Sequence, residues 1–134
     1  MVEVFYLDTA AALKLLAAES HSRPFAQFYD DHAGSAWVSS TLLQVELMRA
    51  VKRAAPALVP AAQELLLAFD YITIDQNIIV AAINEPDRTL RSLDAIHLTT
   101  ARALGTDLTG LATYDDRLAS AAMNAGMTII SPRE

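Results

Sequence analysis

Short apolar runs and longer amphipathic stretches alternate along the chain. Residues 2–7 form a run rich in β-branched and aromatic side chains, as expected of a strand buried on both faces. Asp8-Thr9 closes it, and the alanine- and leucine-rich stretch 10–18 predicts a helix. After a polar break at 20–24, residues 25–31 read as a short amphipathic segment and 36–39 as a second strand. Thr41 and Gln44 have capping-box spacing, which predicts a helix over 42–53. Pro56 and Pro60 interrupt the pattern before a further helix at 61–69. A third strand is expected at 71–74 and a helix at 76–84, followed by a charged loop, 85–92, that contains Pro86. Ser92 reads as the cap of a helix over 93–104 that Gly105 ends. Strand-like 108–113, helical 116–124, a C-capping Gly126 and a last strand at 127–130 complete the series.

Strands alternating with helices predict a mostly parallel sheet covered on both faces, a three-layer α/β/α sandwich. At 134 residues, with no repeat, low-complexity tract or linker, the expectation is one domain over 1–134. The absence of cysteine removes disulfides, thiolate metal sites and thiol catalysis. No apolar run is long enough to span a bilayer, and the N-terminus lacks a basic leader pattern, so a cytoplasmic protein without membrane contact is expected. A net charge of −6 argues against passive binding to nucleic acid through summed positive charge. That argument weakens if four of the 16 acids gather in one site, because the remainder then nearly balances the 10 bases.

Ligands of open parallel sheets bind outside the carboxyl ends of the strands. Asp8 directly follows the first strand, and Glu46 lies early in the helix after the second. Asp94 opens the helix after the charged loop, and Asp115 and Asp116 follow the strand that ends at Thr113. Each has an ordinary explanation: an acid at a helix start caps amides, and Glu46 is spaced to pair with Arg49. Those explanations do not predict four acids at one edge, each beside core-type residues such as Leu7, Val45, Leu93 and Leu118. Two carboxylates ~6 Å apart repel by roughly 3 kcal/mol at an effective dielectric near 20. Such a cluster must hold protons or bind a cation, and an all-oxygen donor set favours Mg²⁺ or Mn²⁺. An ion of that kind suits in-line attack of water on a phosphodiester. Strand period puts Thr113 on the side of Asp115, where its hydroxyl would hold a metal-bound water or a carboxylate. Arg88 and Arg91, in the loop before Asp94, are placed to meet a phosphate backbone, with Lys14, Lys52 and Arg53 as further positive charge. The histidines carry no metal-pair spacing, and His97 reads as a packed core residue.

Other phosphate and nucleophile machinery fails on inspection. Gly105 and Gly110 have P-loop spacing, but Leu111-Ala112 stands where Lys-Ser/Thr is needed. The chain has neither a Gly-x-Gly-x-x-Gly loop nor a Gly-x-Ser-x-Gly elbow.

Four segments in this order are similar to the PIN-domain nucleases, and within them to VapC toxins of prokaryotic toxin–antitoxin pairs: Tyr6-Leu-Asp8-Thr-Ala, Ser39-Ser-Thr-Leu-Leu-Gln-Val-Glu46-Leu, Leu90-Arg-Ser-Leu-Asp94-Ala-Ile-His-Leu and Thr113-Tyr-Asp115-Asp-Arg-Leu. The resemblance covers nearly the whole chain. It implies that Asp8, Glu46, Asp94 and Asp115 hold Mg²⁺ or Mn²⁺, that Thr113 assists, and that Asp116 is a rival for the place of Asp115. It further implies endonucleolytic hydrolysis of single-stranded or structured RNA, a homodimer, and silencing by a VapB-type antitoxin. Contacts with such partners are expected on helices 10–18, 42–53 and 61–69. Two other readings stand beside this one: a PIN-fold interaction module of weak catalytic power, and a nuclease acting on DNA.

Overall fold

Alternation along one strand sets the layers. In β1 (Val4–Leu7), Phe5 and Leu7 enter one apolar cluster while Tyr6 enters another on the opposite face. The structure, a computed structural model that describes residues 2–134, places β1 at the centre of a five-stranded sheet. Met1, the first residue of the unit expected over 1–134, lies outside the described residues. The other strands are β2 (Ala36–Ser40), β3 (Asp70–Ile72), β4 (Gly110–Ala112) and β5 (Ile129–Ile130), in the spatial order β3-β2-β1-β4-β5. Every pairing is parallel, with Tyr6 opposite Val38 on one side and Leu111 on the other.

The Phe5 face is covered by α1 (Thr9–Lys14), α2 (Ser22–Asp31), α3 (Leu42–Ala54) and α4 (Val59–Leu66), through Ala11, Phe25, Leu43, Leu47 and Ala62. The Tyr6 face is covered by α6 (Ser92–Arg102) and α7 (Asp116–Asn124), through Leu98, Ala101, Leu118 and Ala122, and α5 (Gln76–Ile83) packs on α6. The expected three-layer sandwich is therefore present, with all strands parallel. No described helix is long and apolar enough to cross a membrane.

Boundaries differ from the sequence reading where local hydrogen bonding wins. Thr41 is already helical in backbone and makes no capping bond. The hydroxyl of Ser40 instead accepts the Leu42 amide at 3.1 Å. Ser92 is the first residue of α6 rather than its cap, the capping position being Arg91. Helix α2 begins before Pro24, because a proline in the first turn removes an amide that has no partner there anyway. The stretch expected over 10–18 ends earlier, at Lys14, in tight turns closed by bonds from Leu15 to Ala12 and Leu16 to Leu13. Between Pro56 and Leu58 the chain forms a 3₁₀ turn rather than a plain break. Gly126 behaves as read: its positive φ of 86° closes α7 with bonds from Gly126 to Met123 and from Met127 to Ala122.

Candidate active site

Strand order decides where a site can form. The chain runs from β1 outward to β2 and β3, then returns to place β4 and β5 on the other side of β1. The crevice beyond the carboxyl ends of β1 and β4 is thus the switch point of the sheet. Asp8 leaves β1 there, and Thr113, Tyr114 and Asp115 leave β4 beside it. Asp94 comes from the first turn of α6, and Glu46 from α3.

Asp8 is almost fully buried, at 3% exposure. One carboxylate oxygen caps α1 by accepting the Ala11 amide at 2.9 Å, and the other accepts the Thr113 hydroxyl at 2.5 Å. The same hydroxyl oxygen accepts the Asp115 amide at 3.1 Å, so Thr113 ties the ends of β1 and β4 together. Of the two roles read from the sequence, the Thr113 hydroxyl takes that of holding a carboxylate. Burial pushes the Asp8 carboxyl up to about 6, against the Thr113 bond, the nearby His97 and the Ala11 amide, with the Asp115 charge adding to the rise. Asp94 is raised as well, first by burial and next by the charge of Asp115, with Glu46 adding to it while His97 and Arg91 oppose it. Asp115 caps α7 through the Leu118 amide at 2.9 Å. Its charge therefore acts on both Asp8 and Asp94.

Asp94, Asp115 and Asp116 line an open cleft of about 400 Å³ whose other walls are Arg91 and Arg117. Arg91 is thus at the acids, whereas Arg88 is an exposed loop residue outside this lining. Asp116 points largely to solvent, 3.8 Å from Arg133. Lys14 pairs with Glu19 at 3.3 Å and sits over the Tyr114 ring. Lys52 lines a separate hollow of about 550 Å³ with Gln44, Met48 and Tyr71 and is no part of the acidic cleft. Two flanking residues taken as core are surface residues: Val45 is 57% exposed and Leu93 46%. Glu46 does not pair with Arg49. Its Oε1 accepts the Thr9 hydroxyl at 2.7 Å and the His97 ring at 2.6 Å.

Sequence reasoning missed Thr9, Tyr6 and the part played by His97. Burial of His97 agrees with a packed residue, but both its ring nitrogens are engaged, with Tyr6 and with Glu46. The available signal was its place three residues after Asp94, on the same face of α6. Arg117 was also missed, although it directly follows the doubled aspartate.

The donor set is all oxygen and electrostatically coupled, which fits a hard divalent cation. Among the described residues, no three histidine or acidic side chains are gathered tightly enough to enclose an ion by themselves.

The sequence pattern of the PIN domain family matches residues 5–123. The chain belongs to the PIN-domain family. Its relatives include Ribonuclease VapC35 of Mycobacterium tuberculosis, 40% identical over 131 residues that cover 96% of this chain and 97% of that protein. Among solved structures it shares its PIN fold with VapC20 of Mycobacterium tuberculosis, described as a toxin that cleaves the sarcin-ricin loop. That match has a TM-score of 0.73 at 15% identity, over 97% of this chain and 99% of the other. A toxin–antitoxin complex from Klebsiella pneumoniae matches with a TM-score of 0.70 at 19% identity, over 96% of this chain and 98% of that one. Within the PIN domains, the chain stands with the VapC ribonucleases.

Proposed function

We propose that this PIN domain is a divalent-metal-dependent endoribonuclease, using Mg²⁺ or Mn²⁺, and the toxin of a cytoplasmic toxin–antitoxin pair. The observation that carries the chemistry is the convergence at the switch point of buried Asp8, tied to the Asp115 amide through the Thr113 hydroxyl, with Asp94 and Asp115 lining one cleft beside Arg91 and Arg117. Burial first, and the Asp115 charge after it, keeps the Asp8 and Asp94 carboxyls from ionising, and groups held in this way gain most from a bound cation. When bound, the metal supplies orientation of the attacking water and neutralisation of charge developing on the phosphodiester. Asp8, Asp94, Asp115 and Glu46 would hold it, with water completing its shell, as is usual for Mg²⁺ bound by few carboxylates. Asp8 is fixed for this by the Ala11 amide and the Thr113 hydroxyl, so its ionised form needs no rearrangement on binding. Arg91 and Arg117 rim the cleft and are placed to meet phosphates on either side of the scissile one. Arg88, further out in the same loop, would extend that contact.

The named relatives support RNA as the substrate, in single-stranded or structured form, and the toxin–antitoxin complex supports a VapB-type antitoxin as partner. The antitoxin and a second copy of this chain would cover α1, α3 and α4, the helices nearest the segments expected for such contacts.

One observation favours a second reading, a weakly catalytic interaction module: Glu46 already has its Oε1 engaged by Thr9 and His97. A single assay separates the readings. Matched RNA and DNA oligonucleotides are incubated with the protein in Mg²⁺, in Mn²⁺ and in EDTA, beside Asp94→Asn. Cleavage of RNA that needs metal and falls at least 100-fold in the variant is expected. Cleavage unaffected by EDTA or by the variant would overturn the metal mechanism, and faster cleavage of DNA would overturn the substrate.

A further inference from the structure

Glu46 has a placement problem that the cluster itself creates. Its carboxylate stands on a long, flexible side chain of α3, and its charge is felt at Asp94. Like charges repel, and open solvent offers a carboxylate a lower-energy position. Something must hold it, and α6 supplies the counterweight. One face of that helix presents Asp94, which repels Glu46, and His97, which binds it at 2.6 Å.

Donor and acceptor accounting fixes the direction of that bond. An ionised carboxylate only accepts, so Nε2 of His97 carries the proton and donates it to Glu46 Oε1. On the other side of the ring, Nδ1 lies 2.7 Å from the Tyr6 hydroxyl, in a buried contact. The Tyr6 oxygen accepts the backbone amide of Ser40, at the end of β2, at 3.2 Å. With the ring proton on Nε2, Nδ1 is the acceptor, so the Tyr6 hydroxyl donates to it while its oxygen takes the Ser40 amide. A directed chain therefore runs from the Ser40 amide through the Tyr6 hydroxyl and the His97 ring to Glu46, where the Thr9 hydroxyl adds a second donor to the same oxygen. Tyr6 and His97 are both buried, at 0% and 1% exposure, so no water competes along it.

We propose that His97 is a positioning residue: as an Nε2–H donor steadied by Tyr6, it holds the Glu46 carboxylate beside Asp94 and leaves Oε2 for the site. This rests on the reading of Glu46 as part of a cation site. It gives the one fully buried histidine on α6 a use that neither packing nor direct catalysis supplies.

The first test needs neither metal nor RNA. In a long-range ¹H–¹⁵N spectrum of the metal-free protein at neutral pH, His97, assigned by comparison with His97→Gln, is expected to carry its proton on Nε2. A ring protonated on Nδ1 alone would overturn the proposal. The second test is calorimetric titration with Mn²⁺. His97→Leu removes the donor and is expected to weaken binding 10- to 100-fold. His97→Gln restores an N–H near the Nε2 position and should stay within about threefold of the parent chain. Tyr6→Phe, which keeps the ring volume and removes only the hydroxyl, should fall between them and serves if His97→Leu does not fold. Parent-like Mn²⁺ binding by His97→Leu, or by Tyr6→Phe in its place, would overturn the proposal. A parent chain that takes up no Mn²⁺ would overturn the cation-site reading and this use of Glu46 with it. The tautomer, read without metal, separates the two failures.

Discussion

Replacing Asp8 by asparagine should stabilise the metal-free protein at neutral pH and destroy its response to metal. The reasoning begins with burial: Asp8 is 3% exposed, and its carboxyl is raised from the usual 3.8 to about 6. At 1.36 kcal/mol per unit, holding this group ionised in the fold costs about 3 kcal/mol once both states are ionised. The sign follows from proton affinity. The folded chain binds the Asp8 proton more tightly than the unfolded chain, so stability from this group is greatest below about pH 4, and it is lost as pH rises through about 6. Asparagine removes that cost, and its carbonyl oxygen still accepts the Ala11 amide. Its amide nitrogen, however, faces Thr113, whose hydroxyl proton loses its acceptor at a cost of about 1–2 kcal/mol. The net gain at pH 8 is about 1–2 kcal/mol, or roughly 3–8 °C in Tm for a domain of this size. Thermal and urea melts of both proteins in EDTA, from pH 4.5 to 8, measure it, and repeating them with millimolar Mg²⁺ measures the response to metal. The gap between the two proteins should widen as pH rises and close toward pH 4. With Mg²⁺ only the parent chain should gain stability. A variant less stable than its parent at pH 8, or a gap that ignores pH, would refute the argument that Asp8 is a buried charge held against its preference.

Three further outcomes follow from the same geometry. Asp94→Asn should melt higher than the parent in EDTA, because burial and the Asp115 and Glu46 charges outweigh His97 and Arg91, and should gain less from Mg²⁺; paired melting curves check both. Arg91→Ala should weaken RNA binding in EDTA and lower the slope of log K against log salt by about 0.7, as expected for one lost contact to a single strand, read by filter binding from low to physiological salt. Gly110→Ala should destabilise by about 1–3 kcal/mol through overpacking. Its Cβ would stand 2.8 Å from Ile130 Cγ1, so Ile130→Ala in the same chain should recover part of the loss in a urea melt.

The sequence was most legible where local chemistry and tertiary packing agree. Helix α7 over Asp116–Asn124 has a capping aspartate, an apolar face and a terminal glycine, and all three act as their residue types suggest. It was least legible where one hydroxyl had to be chosen over another. Thr41 has the spacing of a capping box, yet Ser40 makes the bond, because the backbone of Thr41 has already turned helical. The candidate acids follow from counting strand ends, a one-dimensional operation. Glu46 is a candidate on the same count, but its partners are not visible that way. His97 and Thr9 are 51 and 37 residues away in sequence, and only the meeting of α1, α3 and α6 at the carboxyl edge of the sheet brings them to one oxygen.

Capping and catalysis are not competing accounts of these aspartates. Asp8, Asp75 and Asp115 all cap helices in the same manner, each accepting the amide three residues on at 2.9 Å. Asp75 follows β3, at the outer edge of the sheet, and is exposed. Asp8 and Asp115 follow β1 and β4, neighbours at the switch point, and the charge of one raises the carboxyl of the other. The capping bond therefore does not set the acids proposed for the cation site apart from Asp75. Strand order does, because it decides which caps share a crevice. The cap then contributes something to function as well: a carboxylate already fixed by a helix amide loses little freedom when a cation or substrate arrives. By that argument the Asp8→Asn variant, which keeps the cap and removes the charge, separates the two roles of one side chain: α1 should stay intact while the metal response disappears.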